Sequence, residues 1–201
     1  MKPQRVSRLA TDVVVRQPWL WRVLRGRLRA LFDEIAPTWE TRIGPHHLGA
    51  LRLALAELDP PRRALDLGTG TGAAAKAVAE LFPDAEVVGL DLSPRMIEEA
   101  RARLPGALDG RVRFEVGDAS GLPYPDAGFE LVTLANMIPF FDELTRVTSP
   151  GGTVVCSFSR GPETPIYVPF RRLRRELGRR GFAEFADFSE GPATALRATR
   201  R

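Results

Sequence analysis

The chain has almost no cysteine and no long apolar run. Cys156 is the only cysteine among its 201 residues, so neither an internal disulfide nor a cysteine-based metal cluster can form. No apolar run approaches about 18 residues, and a transmembrane helix is therefore not expected. The amino-terminal residues are basic but lack the continuous apolar core of a signal peptide. These absences favour a cytoplasmic protein that binds no metal.

Positive charge is carried almost entirely by arginine, because Lys2 and Lys76 are the only lysines. The formal net charge is +4, and the arginines concentrate in residues 1–30 and 171–180. Such clusters usually mark solvated helix faces. They also suit nucleic acid or an anionic lipid surface, and both remain alternatives at this stage.

A length of 201 residues allows one sizeable domain, and Pro60-Pro61 marks an internal boundary. Residues 60–201 then form the core and residues 1–59 an amino-terminal helical cap. Within the cap, the first dozen or so residues are expected to be poorly ordered, and a second helix is expected at about 45–58. The helix that Pro18 opens and Pro37 ends has three possible roles: it packs on the core, covers the cofactor as a lid, or lies on a membrane surface. Its apolar positions recur at helical spacing, at Leu20, Leu24, Leu28, Leu31 and Ile35.

Beyond Pro61 the pattern alternates between strands and helices. The predicted strands are 63–67, 85–91, 112–117, 129–135 and 152–159. The predicted helices are 72–82, 94–104, 139–147 and 166–179. This alternation is typical of a doubly wound α/β fold, in which a mostly parallel sheet carries helices on both faces. A further strand at 182–188 has a candidate partner at 195–199.

The most informative stretch is residues 64–72, Ala-Leu-Asp-Leu-Gly-Thr-Gly-Thr-Gly. A short apolar strand runs into Gly68, Gly70 and Gly72, and a helix starts directly behind them. Glycine lets backbone N–H groups approach a ligand closely, and the helix N-terminus favours an anionic group. The next strand ends at Asp91, 23 residues after Gly68. An acid there can accept hydrogen bonds from ribose hydroxyls, so the stretch predicts a nucleotide-binding elbow.

Two classes of nucleotide site fit this elbow. Gly68, Gly70 and Ala73 satisfy the Gly-x-Gly-x-x-Gly/Ala pattern of dinucleotide-binding folds. Asp66, however, lies two residues before the first glycine, where a carboxylate suits a cationic amino group. Together with the three glycines and Asp91, it resembles the class I S-adenosylmethionine-dependent methyltransferase family. The resemblance covers roughly residues 60–160 and continues through residues 116–119, 122–132 and 150–155.

The resemblance implies specific roles in binding S-adenosylmethionine. The glycine turn meets the methionine end of the cofactor, and Asp66 lies near its ammonium group. Asp91 accepts the ribose hydroxyls. The adenine is expected to contact Leu92, Met96, Asp118 and Ala119, with Asp118 accepting from its amino group. The family also implies a closing antiparallel hairpin at the carboxy terminus.

Candidate catalytic residues are fewer. Asn136 follows the fourth predicted strand, and open α/β sheets carry their chemistry at the carboxyl ends of strands. Nucleobase amino-methyltransferases have Asn/Asp-Pro-Pro-Tyr/Phe at this point, whereas Met137-Ile138 interrupts that motif here, which weakens a nucleic-acid substrate. His46 and His47 are the only histidines. Either could act as a general base, or they could simply start a helix in solvent.

The sequence thus predicts an enzyme that transfers a methyl group from S-adenosylmethionine to a small acceptor. The expected acceptor pocket has an apolar lining, which favours an apolar or aromatic acceptor: Trp39, Met137, Ile138, Phe140 and Phe141. The alternatives are an RNA or DNA methyltransferase that uses the arginine clusters and an NAD(P)-dependent oxidoreductase. Oxygen, nitrogen and carbon all stay open as the methylated atom.

Overall fold

The computed structural model describes residues 3–44 and 47–201. Its strands are β1 (Arg63–Leu67), β2 (Glu86–Asp91), β3 (Val112–Val116), β4 (Phe129–Ala135), β5 (Thr148–Phe158), β6 (Phe182–Glu190) and β7 (Ala193–Arg200). Its α-helices are α1 (Pro3–Arg16), α2 (Trp21–Ile35), α3 (Trp39–Arg42), α4 (Gly49–Ala56), α5 (Ala73–Leu81), α6 (Pro94–Ala102), α7 (Phe141–Val147) and α8 (Phe170–Gly178). Short 3₁₀ helices lie at Pro18–Leu20, Ala36–Thr38, Gly106–Leu108 and Gly161–Glu163.

In the described residues the seven strands form one sheet in the order β3-β2-β1-β4-β5-β7-β6. β1 pairs in parallel with both β2 and β4, and β3 and β5 extend the parallel part outward. β7 runs antiparallel between β5 and β6. The predicted α/β fold with a closing antiparallel hairpin is confirmed. Because the strand order reverses between β1 and β4, the crevice outside their carboxyl ends is where such sheets bind ligands.

Two apolar cores sandwich the sheet, because successive side chains of a strand point to opposite faces. Ala64 of β1 joins the core beneath α4, α5 and α6, together with Leu51 and Ile97. Leu65 and Leu67 join the other core, beneath α7 and α8. The middle strands are therefore buried on both faces, which fixes the positions of their carboxyl ends.

The cap begins differently from the expectation. Of the residues predicted to be poorly ordered, 3–12 lie in α1, and for them the prediction was wrong because α1 docks on the rest of the chain; residues 1 and 2 lie outside the described part. Val14 of α1 is only 1% exposed and packs with Trp21 and Ile138. α8 also starts later than predicted, because Pro165 and Pro169 interrupt the helical pattern before Phe170. No helix in residues 3–44 or 47–201 has both the length and the apolar character needed to cross a bilayer.

Candidate cofactor and acceptor site

The glycine loop, residues 68–72, joins β1 to α5 at the point where the strand order reverses. Gly68, Gly70 and Gly72 have φ angles of 67°, 53° and 82°, a region that residues with a Cβ rarely adopt. The N–H groups of Gly68 and Thr69 donate to the Leu90 carbonyl at 2.8 and 3.1 Å. The loop is thereby fastened to the end of β2, and its shape depends on glycine as the motif predicts.

The three glycines have different surroundings. A Cβ at Gly72 would lie 2.5 Å from the Phe114 ring, and a Cβ at Gly68 would lie 2.9 Å from the Met137 side chain. At Gly70 the nearest atom would be Nε1 of Trp39, at an ordinary contact distance of 3.6 Å. Gly72 therefore serves core packing, whereas Gly70 faces space between the loop and the cap.

Asp66 holds the glycine loop from inside the sheet. Its side chain accepts hydrogen bonds from the Thr69 hydroxyl at 2.6 Å and the Thr133 hydroxyl at 2.8 Å. Burial raises the pKa of Asp66 to about 6, although both hydroxyls act in the opposite direction. Asp66 is 1% exposed, so it links the loop to β4. Its predicted proximity to a ligand ammonium group stays a prediction.

Asp91 supports the same loop from the end of β2. One carboxylate oxygen accepts the Gly70 N–H and the other accepts the Ser93 N–H, each at 2.9 Å. Burial raises the pKa of Asp91, and these two backbone donors oppose that rise. Each carboxylate oxygen can accept more than one hydrogen bond. Asp91 is thus fixed beside Gly70, where the ribose acceptor is predicted, and keeps capacity for further donors.

Asp118, just beyond β3, is held by the cap. Its carboxylate accepts the Trp21 indole N–H at 2.8 Å and a guanidinium N–H of Arg25 at 3.0 Å. Burial raises the pKa of Asp118, but the hydrogen bonds from Ser120, Trp21 and Arg25 outweigh it and lower the pKa below its usual value. The predicted adenine acceptor is therefore also an anchor for α2.

The other predicted adenine contacts lie around the start of α6. Leu92 packs in the cluster of Trp21 and Ile138, whereas Met96 and Ala119 are 1% and 5% exposed. Ser93 caps α6, since its oxygen accepts the Met96 N–H at 3.1 Å. Its hydroxyl donates to Asp33 of α2 at 2.6 Å, which gives the cap a second anchor.

Asn136 lies at the carboxyl end of β4 as predicted. Its backbone has a φ of 55°, its N–H donates to the Ser157 carbonyl at 2.9 Å, and its side-chain oxygen accepts the Ser159 N–H at 2.8 Å. These bonds fix Asn136 between β4 and β5. His47 has its Nδ1 at 2.7 Å from the Gly44 carbonyl, so that nitrogen is engaged with the backbone of the same segment. His46 lies outside the described residues, and a histidine base stays a prediction.

Aromatic and apolar side chains close the crevice above the strand ends. Trp21 packs edge-on against Phe140 with ring centroids 5.2 Å apart, and Phe32 packs likewise against Trp39 at 6.1 Å. Ile138 is 6% exposed beneath them. A hydrogen bond from the Thr71 hydroxyl to Glu40 fastens the segment after α2 to the glycine loop. Phe141 is predicted to line the acceptor pocket. It packs instead in the core beneath α7 and α8.

A groove of about 470 Å³ lies at the opposite end of the sheet, near Pro60. Two of its four acids have partners: Glu130 accepts the Arg63 N–H at 3.1 Å, and Glu57 pairs with Arg197 at 3.0 Å. The groove also opens at the amino end of β4, away from the end where such sheets carry their chemistry. The functional site is therefore placed in the crevice under the cap.

Comparison with known proteins decides between the two classes of nucleotide site. A family model described as a methyltransferase domain matches residues 64–152. Over 155 residues the chain is 41% identical to a demethylmenaquinone methyltransferase of Thermus thermophilus, an alignment that covers 70% of each chain. The chain belongs to the class I S-adenosylmethionine-dependent methyltransferase family. It is thus an enzyme of methyl transfer, and its cofactor is S-adenosylmethionine.

Two further comparisons agree with this methyltransferase assignment. A demethylmenaquinone methyltransferase of Deinococcus radiodurans is 40% identical over 159 residues, which are 73% of this chain and 66% of that one. The chain spans about two thirds of the length of these curated relatives. The crystal structure of an S-adenosylmethionine-dependent methyltransferase from Aquifex aeolicus superposes with a TM-score of 0.67 at 16% identity, covering 83% of this chain and 98% of that one.

The crevice of this methyltransferase fits the cofactor. Because Gly70 has no Cβ, there is room between its backbone and Trp39. Asp91 stands beside it with accepting capacity for hydroxyls, and Asp118 lies on the same side of the sheet with Leu92 as an apolar neighbour. Gly70, Asp91 and Asp118 follow β1, β2 and β3 in turn. This is the order in which the resemblance predicts contacts with the methionine, the ribose and the adenine of the cofactor.

Sequence reasoning missed the groups that hold the predicted acids in place. Thr133 lies 67 residues from Asp66, and Trp21 lies 97 residues from Asp118. Trp21 belongs to the inward face of an amphipathic helix, which is a usable signal that it packs on the core. No local pattern indicates which acid its N–H meets.

A pair of glycine substitutions separates packing from ligand approach. We expect Gly72→Ala to lower the free energy of unfolding by about 1–3 kcal/mol more than Gly70→Ala, because its new methyl group overlaps Phe114. Gly70→Ala, whose methyl group faces the crevice, should instead weaken S-adenosylmethionine binding in a folded protein. Urea unfolding and calorimetry on both variants check this. Equal losses of stability, or unchanged affinity in Gly70→Ala, would contradict these roles.

Asp66→Asn is expected to alter the pH dependence of stability. The folded-state pKa of about 6 exceeds the ordinary value of 3.8, so the stability that Asp66 contributes is complete below the lower value and is lost as the pH rises through the higher one. The variant lacks this loss. The free energy of unfolding of Asp66→Asn, relative to that of the wild type, should therefore rise by about 2 kcal/mol from about pH 4.5 to about pH 7.5. Urea unfolding at both pH values tests this, with Asp84→Asn as an exposed control, and a pH-independent difference would contradict it.

Proposed function

We propose that this methyltransferase acts on a small aromatic acceptor of the quinol class. The observation that carries the proposal is the apolar closure of the crevice, where Trp21, Phe140 and Ile138 cover the ends of β1 and β4. A flat apolar ring is the kind of ligand that such a surface holds through stacking and exclusion of water. The Thermus and Deinococcus relatives, both named for demethylmenaquinone, support the same class.

The chain's own residues would bind the cofactor and orient its reacting end. In this assignment the glycine loop receives the methionine end, Asp91 the ribose hydroxyls and Asp118 the adenine amino group. The bound cofactor supplies an electrophilic methyl sulfonium. Asn136, fixed between β4 and β5, stands at the carboxyl end of the strand beside the loop, and we assign it to positioning the acceptor.

The cap is assigned the exclusion of water from this crevice. α2 is anchored to Asp118 through Trp21 and Arg25 and to Ser93 through Asp33. These anchors lie just beyond the carboxyl ends of β3 and β2, so they hold α2 over the side of the crevice where the adenine and ribose acceptors are predicted. Held in this way, the cap would align acceptor and cofactor and keep solvent from the methyl group.

The second arginine cluster argues against a nucleic-acid substrate. Four of its six arginines pair with acids of this chain: Arg172 with Asp12, Arg174 with Asp187, Arg175 with Glu176 and Arg180 with Asp142. Paired guanidinium groups offer little free charge to phosphates. The 171–180 segment therefore acts within the fold.

Transfer of a labelled methyl group tests the proposed function. The purified chain receives methyl-labelled S-adenosylmethionine with a naphthoquinol that carries a short prenyl chain, kept reduced by dithionite, or with tRNA or a DNA duplex. We expect label in the naphthoquinol and none in the nucleic acids, and Asp91→Ala should lower the transfer when the cofactor concentration is below saturation. Label in tRNA or DNA, or failure to methylate the naphthoquinol by a protein that binds the cofactor, would overturn the acceptor class.

A further inference from the structure

α2 and the 3₁₀ helix directly before it carry large apolar side chains in solvent. Trp19 is 63% exposed, Val23 69% and Leu31 46%. They make up half of the six exposed large apolar side chains in the described part of the chain. Trp19 lies in the 3₁₀ helix Pro18–Leu20, and Val23 lies in the first turn of α2. The opposite side of α2 carries Trp21, which is buried against the crevice.

The same face is mainly positive, although the exposed Glu34 in the last turn of α2 also lies on it. Residues 13–32 contain five arginines and no aspartate or glutamate. Arg25 and Arg29 bond to acids of the fold, Asp118 and Asp33. Arg22 and Arg27, by contrast, are exposed and form no ion pair with any residue of the described chain. They flank Val23 on the two sides of the outer face, as a helical projection of these positions shows.

We propose that this outer face, Trp19, Val23 and Leu31 with Arg22 and Arg27, docks on the surface of an anionic lipid bilayer. Tryptophan suits the boundary between lipid chains and headgroups, and arginines beside it attract anionic headgroups. A helix with such a face lies in the plane of the interface. Nucleic acid would use the charge but leaves the exposed Trp19 and Val23 unexplained, so charge and apolar exposure together favour lipid.

Docking would place the cap of the crevice against the bilayer. Trp21 of α2 faces the site, whereas Val23 of the same helix and Trp19 just before it face outward. A single helix therefore lies between the site and the lipid. This arrangement would give an apolar acceptor a short path from the bilayer. The docking proposal itself rests on the exposed face of α2 and does not require the acceptor class proposed above.

Vesicle sedimentation of the full chain tests the proposal. Vesicles of phosphatidylglycerol and phosphatidylcholine should bind the protein at low salt and release it as ionic strength rises, because screening weakens the arginine contribution. Vesicles of phosphatidylcholine alone should bind it at least about tenfold more weakly. Lack of sedimentation, or equal sedimentation with both compositions, would overturn the proposal.

Matched variants identify the docking face. The double variant Trp19→Ser/Val23→Ser should bind anionic vesicles at least about tenfold more weakly, and Arg22→Gln/Arg27→Gln should lose most of the salt dependence. Leu53→Ser/Leu81→Ser removes apolar side chains of 42% and 41% exposure elsewhere and should bind as the wild type does. Calorimetric binding of S-adenosylmethionine shows that each variant is folded.

Other outcomes would contradict the docking surface. These are an equal loss in the Leu53/Leu81 control, or tight binding of a single-stranded RNA by a protein that ignores vesicles. Methylation of the soluble short-chain naphthoquinol is measured without vesicles, so a failure there rejects the acceptor class and leaves the docking result intact.

Discussion

Asp91→Ala is expected to weaken the binding of S-adenosylmethionine by about 1–3 kcal/mol, a factor of roughly 5–150 in Kd. The carboxylate has two tasks in this structure. It holds the Gly70 and Ser93 N–H groups at 2.9 Å, and it is assigned to the ribose hydroxyls. The substitution removes both the bonds to these N–H groups and the acceptor for the ribose. The glycine loop therefore loses a hydrogen bond at the point where the ligand is predicted to bind.

Calorimetry and thermal unfolding together separate the two tasks of Asp91. Asp91→Asn keeps one accepting oxygen and should lie between the wild type and Asp91→Ala in affinity. Asp84→Ala, an exposed acid just before β2, serves as the control and should bind normally. If Asp91→Ala binds the cofactor as tightly as the control, the ribose assignment is wrong.

Deletion of residues 1–36 is expected to lower kcat by roughly a hundredfold, because the cap aligns the reactants and excludes water. All seven strands of the described residues lie outside this segment, so the sheet should survive. Ile138 and Leu92, which pack beneath α2, become exposed, and some stability should be lost. The measurement is single-turnover methyl transfer, with circular dichroism to report the sheet.

Trp21→Phe gives a finer test of the cap. It keeps an aromatic ring against Phe140 but removes the N–H that Asp118 accepts. We expect a smaller loss of turnover than for the deletion, together with weaker cofactor binding, because Asp118 loses one of its anchors. Unimpaired turnover of a soluble acceptor by the truncated protein would contradict the lid role and leave residues 1–36 as a docking element alone.

The sequence predicts those features of this protein whose causes are local. Gly68, Gly70 and Gly72 have positive φ angles, which is the property that makes a glycine turn recognisable. Alternation of apolar runs and helical periods predicts the parallel sheet, because buried parallel strands must be apolar on both faces. Asp91 is predicted as a site residue because it ends the second strand.

The sequence does not predict which distant residues pair with the site acids or where the first helices pack on the sheet. The partners of Asp66 and Asp118 come from β4 and α2, and nothing in the local pattern selects Thr133 or Trp21 among similar residues. The sequence predicts poor order for the first dozen or so residues, whereas Thr11 and Val14 of α1 are each only 1% exposed, and Val14 packs with Trp21 and Ile138. The three glycines look equivalent in the motif, and only Phe114, Met137 and Trp39 around them distinguish their roles.

Calorimetric titration of the full chain with S-adenosylmethionine and, separately, with NADH tests the central claim most directly. The order of Gly70, Asp91 and Asp118 across the strand ends predicts a single site for S-adenosylmethionine with a Kd of about 1–100 μM and no measurable heat with NADH. Tighter binding of NADH, or absence of S-adenosylmethionine binding by a protein with its sheet intact, would contradict the account.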